Sequence, residues 1–103
     1  MILTELKNKK YMEYEIKESK HIMESFSKRY SEVDPDDVYN SLINKIPLGI
    51  NKTNHNTFKL IYNNPKKKNE DLYIIVAIDD GKNILIMTTY TNTKDRRVRH
   101  YAR

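Results

Sequence analysis

The stretch DLYIIVAIDDGKNILIMTTY, residues 71–90, decides how the chain folds. Leu72, Ile74, Val76 and Ile78 take alternate positions, and Tyr73, Ile75 and Ala77 take the positions between them. Side chains of a strand point alternately to the two faces of a sheet, so a strand that is apolar at both sets of positions is covered on both sides and lies centrally. The next group, Asp79-Asp80-Gly81-Lys82, predicts a hairpin turn, with Gly81 available for a positive φ. A second strand is expected over residues 84–90, apolar at first and polar from Thr88 and Thr89.

Upstream, residues 57–62 read as a further strand, and residues 63–69 as a polar loop carrying Lys66, Lys67 and Lys68. The first half of the chain has a different period. Tyr39, Leu42, Ile43 and Ile46 follow the i, i+3, i+4, i+7 spacing of one helix face. The start of this helix is marked by Asp34 as cap, Pro35 at the first position and the carboxylates of Asp36 and Asp37 against the positive end of the dipole. Pro47 and Gly49 end it. Ile22, Met23, Phe26 and Tyr30 predict an earlier helix over residues 18–31, and residues 11–16 alternate well enough for a short strand, with a helix as the alternative. Residues 1–10 fit either a short helix or a loose arm. The expected fold class is therefore α+β: one or two N-terminal helices packed on one face of a three- to four-stranded antiparallel sheet, in a single domain spanning residues 1–103.

Composition narrows the function. A chain of 103 residues has room for one modest core, and with 32% charged residues and a mean hydropathy of −0.82 that core must come from a few apolar stripes. There is no cysteine, which removes disulfides and thiolate chemistry. No stretch approaches the roughly 18 apolar residues of a membrane span, and the opening MILTELKNKK lacks the apolar centre of a signal peptide, so a cytoplasmic protein without membrane contact is expected. The abundance of Lys, Asn, Ile and Tyr suggests A/T-rich coding, which discounts individual lysines.

Arginine is a different matter. The basic segment of residues 92–103 holds Lys94, Arg96, Arg97, Arg99 and Arg103 against one acid, Asp95, and carries most of the formal net charge of +5. Guanidinium groups bind phosphate bidentately and stay charged at any working pH, so this end is expected to meet an anion, RNA above all. A plain solvated basic terminus is the competing reading. Cleaving RNA without a metal needs a base for the ribose 2′-hydroxyl, cations for the charged phosphorane and an acid for the leaving oxygen. The candidates are His21 with Lys20 on the first helix, Thr88 and Tyr90 at the end of the last strand, and Arg96, Arg97, Arg99, His100 and Tyr101 beyond it. His55 reads as a loop residue. Three histidines without ligand spacing give no metal site, and two glycines, Gly49 and Gly81, give no phosphate loop; no cofactor is expected.

The closing stretch ILIMTTYTNTKDRRVRHYAR resembles the end of the RelE-like toxins, in particular the BrnT-type branch: a strand, a polar turn and an arginine-rich segment ending in His-Tyr or Tyr. Ser19-Lys20-His21 with Arg29, followed by Asp36-Asp37-Val38 opening the next helix, is similar to small domains thought to share that barnase/RelE type of ribonuclease fold. The resemblance runs over residues 11–103. It implies a metal-independent endoribonuclease, often the toxin of a toxin–antitoxin pair whose small antitoxin covers the basic surface. It further implies phosphate contacts from Arg96, Arg97 and Arg99, and acid–base or stacking roles for His100 and Tyr101. Lys20 and His21 match the small-domain pattern. The long N-terminal helical hairpin of many RelE toxins is not evident, and two residues follow Tyr101 where some members end.

Two other classes compete: a non-catalytic basic module of a phage or plasmid that binds nucleic acid or an acidic protein, and an adaptor that recognises a protein through its helical face. Loss of His100 or Tyr101 abolishes activity but spares binding only in the catalytic case, and RNA affinity that survives physiological salt argues against the adaptor. Oligomeric state and RNA target are not encoded in any motif.

Overall fold

The strand read from residues 71–79 is the spine of the molecule. In the computed structural model, which describes residues 14–28, 33–79 and 82–94, it runs as β4 (Glu70–Ile78), and Leu72, Tyr73, Ile74, Val76 and Ile78 are all buried. The remaining described elements are β1 (Glu15–Glu18), α1 (Lys20–Ser27), α2 (Pro35–Asn44), β2 (Gly49–Lys52), β3 (Thr57–Asn63) and β5 (Asn83–Thr93). The sheet order is β1-β5-β4-β3-β2. From β2 to β5 the neighbours are antiparallel, and β1 joins the edge of β5 in parallel.

The chain is therefore α+β as expected, but among the described residues its sheet has five strands and is mixed. Two departures from the sequence reading account for this. Gly49–Lys52, read only as the residues after a helix stop, forms β2, whose single apolar residue Ile50 pairs with Leu60; its place comes from its partner, not from its own pattern. Glu15–Glu18 lies later than the strand expected at residues 11–16, of which residues 11–13 fall outside the described residues, and its parallel register with Asn83–Ile86 has no local signature. The 57–62 strand and the polar loop after it stand as read.

Both described helices cover one face. Ile22 and Phe26 of α1, Val33, and Val38 and Leu42 of α2 pack on Phe58, Leu60, Tyr62, Leu72, Ile74, Val76, Ile78, Ile84 and Ile86. α2 begins where the sequence placed it: Asp34 accepts a hydrogen bond from the Asp36 amide at 2.9 Å, and Pro35 occupies the first turn. Its buried stripe is rotated from the expected one, to Val38, Ser41 and Leu42, while Ile43 and Ile46 are exposed. The helix ends at Asn44, so Ile46 lies past the last helical turn and no longer shares its periodicity. α1 is shorter than residues 18–31. Its Met23 is exposed, and residues 29–32, Tyr30 among them, lie outside the described residues.

At the β4–β5 turn the expected Gly81 lies outside the described residues, and Lys82 takes a positive φ of 62°. Asp79 holds this turn by accepting from the Asn83 amide at 3.1 Å. The opposite sheet face buries Ile61, Tyr73 and Asp71 as well, so β4 is covered on both sides.

Leu42→Ala leaves a cavity beneath α2 at a site with 0% exposure, and is expected to cost about 2–5 kcal/mol. Ile46→Ala, at 56% exposure, is expected to change stability by less than about 0.5 kcal/mol. Urea midpoints at unchanged m-value measure both.

Candidate functional site

Lys20 and His21 open α1 and are exposed. They are mounted firmly. Ser19 caps the helix, its Oγ accepting from the Ile22 amide at 3.2 Å and donating to the Met87 carbonyl at 3.2 Å. The Ser19 amide donates to the Ile86 carbonyl at 3.1 Å, and Ile22 is buried with 1% exposure. The first turn of α1 is thus tied to the middle of β5. No acidic residue lies in that turn, so the positive end of the helix is not neutralised from within.

At this point β5 changes character. Ile86 pairs with Val76 and Thr88 with Ile75, which leaves Met87 as an extra residue, a β-bulge. The bulge inverts the alternation. Ile84 and Ile86 face the helices, but beyond Met87 that face is taken by Thr89, Thr91 and Thr93, opposite Ile74, Leu72 and Glu70. Thr88 and Tyr90 turn to the other face, where the Tyr90 ring meets Tyr73 edge-on at 4.9 Å between centroids. Of the candidates from sequence, Lys20 and His21 therefore stand together, while Tyr90 lies across the sheet from the helices. Thr89, Thr91 and Thr93 share the helix face and were not singled out; simple alternation from Ile84 and Ile86 passes over them, and only the bulge reveals them.

Along the same strand β5 leads to a cleft of about 370 Å³ at the start of α2. Val33 and Leu72 are its buried apolar lining, and Asp34, Asp37, Asn64, Lys66, Lys67, Glu70, Thr91, Asn92 and Thr93 supply its polar groups. The lysine loop comes close to the basic segment, since the Lys94 amide donates to the Asn69 carbonyl at 3.0 Å and Thr93 pairs with Glu70. Two of the three lysines of that loop are engaged by carboxylates. Lys66 Nζ pairs with Asp34 at 3.2 Å, Lys67 Nζ with Glu70 at 3.4 Å, and Asp37 adds a third carboxylate to the cleft. The Asp34 carboxyl is held below the ordinary aspartate value, first by the Asp36 amide and then by Lys66. Lys66 is pushed up by Asp34 and by the field of Asp37.

Lys94 is half-buried at the end of β5. Arg96, Arg97, Arg99, His100 and Tyr101 lie outside the described residues. His55 is exposed in the β2–β3 loop, its amide donating to Asn54 Oδ1 at 2.9 Å. Among the described residues no cluster of three or more His, Asp or Glu could hold a metal ion, and no helix is long and apolar enough to cross a membrane. No protein-family model, curated protein or solved structure matches the chain, so the site is read from its own chemistry.

The Asp34–Lys66 pair gives a pH signature. Because the Asp34 carboxyl ionises more readily folded than unfolded, its contribution is complete above the ordinary value of 3.8 and is lost as the pH falls through the depressed one. Lys66 runs the other way: its contribution is present below 10.5 and is lost as the pH rises through the raised value. Asn caps helices as well as Asp does, so Asp34→Asn removes the charge and keeps the cap. The variant is expected to melt at a lower temperature than the native chain at pH 7, with the difference closing in strong acid and narrowing in strong base, where the Asp36 amide still meets a carboxylate.

Proposed function

We propose that the chain is a metal-independent endoribonuclease of the barnase/RelE fold type and the toxin of a toxin–antitoxin pair. The observation that carries this reading is the mount of Lys20 and His21. An imidazole and an ammonium stand exposed in the first turn of a helix, fixed by Ser19 to the strand that runs on into the arginine-rich segment. A proton-transfer group and a cation held on rigid elements are what in-line phosphoryl chemistry uses.

In this mechanism the ribose 2′-oxygen attacks the adjacent phosphorus, and a neutral imidazole, His21 or His100, takes its proton. The P–O5′ bond breaks, and the leaving oxygen receives a proton from the other imidazole in its charged form or from Tyr101. Arg96, Arg97 and Arg99 neutralise the phosphorane, with Lys20 and Lys94 as further cations. The products are a 2′,3′-cyclic phosphate and a 5′-hydroxyl, so no metal or cofactor enters the balance. Two helices leading into an antiparallel meander on one sheet face support the fold assignment, with the parallel β1 as an addition at the edge. The antitoxin is a small protein that covers the basic surface.

One observation favours a non-catalytic RNA-binding module instead: Tyr90 and His21 stand on opposite sides of the sheet and do not converge. The two readings part on total RNA incubated in EDTA. A nuclease is expected to produce fragments that fall by about 10²-fold or more with His21→Ala, and similarly with the His100→Ala, Tyr101→Phe double variant, at nearly unchanged RNA affinity. A binding module leaves the RNA intact, and its affinity declines stepwise with each arginine removed and steeply with salt. Intact RNA both in this assay and with translating ribosomes sinks the nuclease reading.

A further inference from the structure

We infer that the hydrogen bond from Tyr39 of α2 to Glu18 of β1 is the latch that positions the β1–α1 corner, so that Tyr39 is a positioning residue for Lys20 and His21. The functional half of this inference rests on the ribonuclease reading; the positional half does not. Glu18 is the last residue of β1, next to the Ser19 cap, and its side chain shares the helix-facing side of the sheet with Ile16. Tyr39 Oη donates to Glu18 Oε2. Both residues are half-buried.

The corner needs this hold. β1 has four residues and pairs with β5 on one side only, in parallel, among the described elements, and Glu15 and Lys17 are exposed. So short a parallel edge is weakly fixed by its backbone bonds. α2 is different: Val38 and Leu42, on either side of Tyr39 along the helix, are fully buried. The phenol therefore connects the anchored helix to the weakly held strand through a charge-assisted bond. Burial, and then the Glu18 carboxylate, push the Tyr39 hydroxyl up to about 12, so it keeps its proton and remains a donor at working pH. With Glu18 held by α2, Ser19 by β5 and Ile22 by the core, the exposed residues left between these anchors are Lys20 and His21.

The latch is tested by amide hydrogen exchange, residue by residue, on the full chain. In Tyr39→Phe and in Glu18→Ala the Ser19 and Ile22 amides are expected to exchange about three- to tenfold faster, the worth of one hydrogen bond. The Ile74 and Val76 amides of β4 keep their rates. The double variant is no faster than either single one, and Glu18→Gln, which still offers an oxygen to the phenol but no charge, falls between the native rates and those of Glu18→Ala. Unchanged rates at Ser19 and Ile22, or acceleration spread evenly over the corner and β4, overturns the latch. Glu18→Ala, which leaves α2 untouched, guards against a folding defect in Tyr39→Phe. RNA cleavage then reads the second half: Tyr39→Phe lowers kcat at constant KM, and adding it to His21→Ala lowers kcat no further. If the native chain cleaves no RNA while the exchange pattern holds, the ribonuclease reading fails and the latch stands.

Discussion

Everything in this fold depends on β4 being covered on both faces. A strand with Leu72, Ile74, Val76 and Ile78 on one side and the fully buried Tyr73 on the other cannot lie at an edge, so it requires a neighbour on each flank and a layer above it. β3 and β5 are those neighbours, and their helix-facing residues, Phe58, Leu60 and Tyr62 on one and Ile84 and Ile86 on the other, widen the platform onto which α1 and α2 settle. In a chain with this much charge, little apolar surface remains. Among the described residues, what is left over shows on the outside as Met23, Ile43, Ile46, Leu48 and Met87.

The bulge at Met87 decides what the far half of β5 offers. One extra residue moves Thr89, Thr91 and Thr93 to the helix-facing side of the sheet and Thr88 and Tyr90 to the other. The same residue supplies the carbonyl that receives the Ser19 hydroxyl. A single irregularity thus ends the apolar part of the strand, seats the helix cap and begins the polar run toward Lys94. The carboxylates around the cleft have a complementary effect, since Asp34 at the start of α2 engages Lys66 and Glu70 of β4 engages Lys67, while by sequence most of the net positive charge lies in the arginine-rich segment.

How much of the fold was legible in the sequence depends on how local each cause is. The β4 strand, the cap of α2 and the polar loop after β3 are each written in fewer than ten consecutive residues, and each stands as read. β2 and the parallel register of β1 depend on partners elsewhere in the chain, so neither carries a pattern of its own. The loss of Ile46 from the stripe of α2 reflects where the helix stops, which Pro47 bounded only from beyond. In the candidate site, Lys20 and His21 could be named from residue type, but their mount could not, because the cap's partners are the carbonyls of Ile86 and Met87. A bulge leaves no mark in hydrophobic periodicity, and reading straight alternation through Met87 assigns every later residue of β5 to the wrong face.

The parallel pairing of β1 with β5 has a kinetic side. Ser19 and Met87 are 68 residues apart, and the ladder between Glu15–Glu18 and Asn83–Ile86 spans the same separation. The β3–β4–β5 meander forms from hairpins with short loops and can assemble early, whereas the β1–α1 corner must wait for a closure that encloses most of the described chain. A folding intermediate with the meander in place and the corner open would have its core strand paired, yet Lys20 and His21 would have no fixed relation to the last strand. The chain would then acquire its meander before it acquires the corner that carries Lys20 and His21.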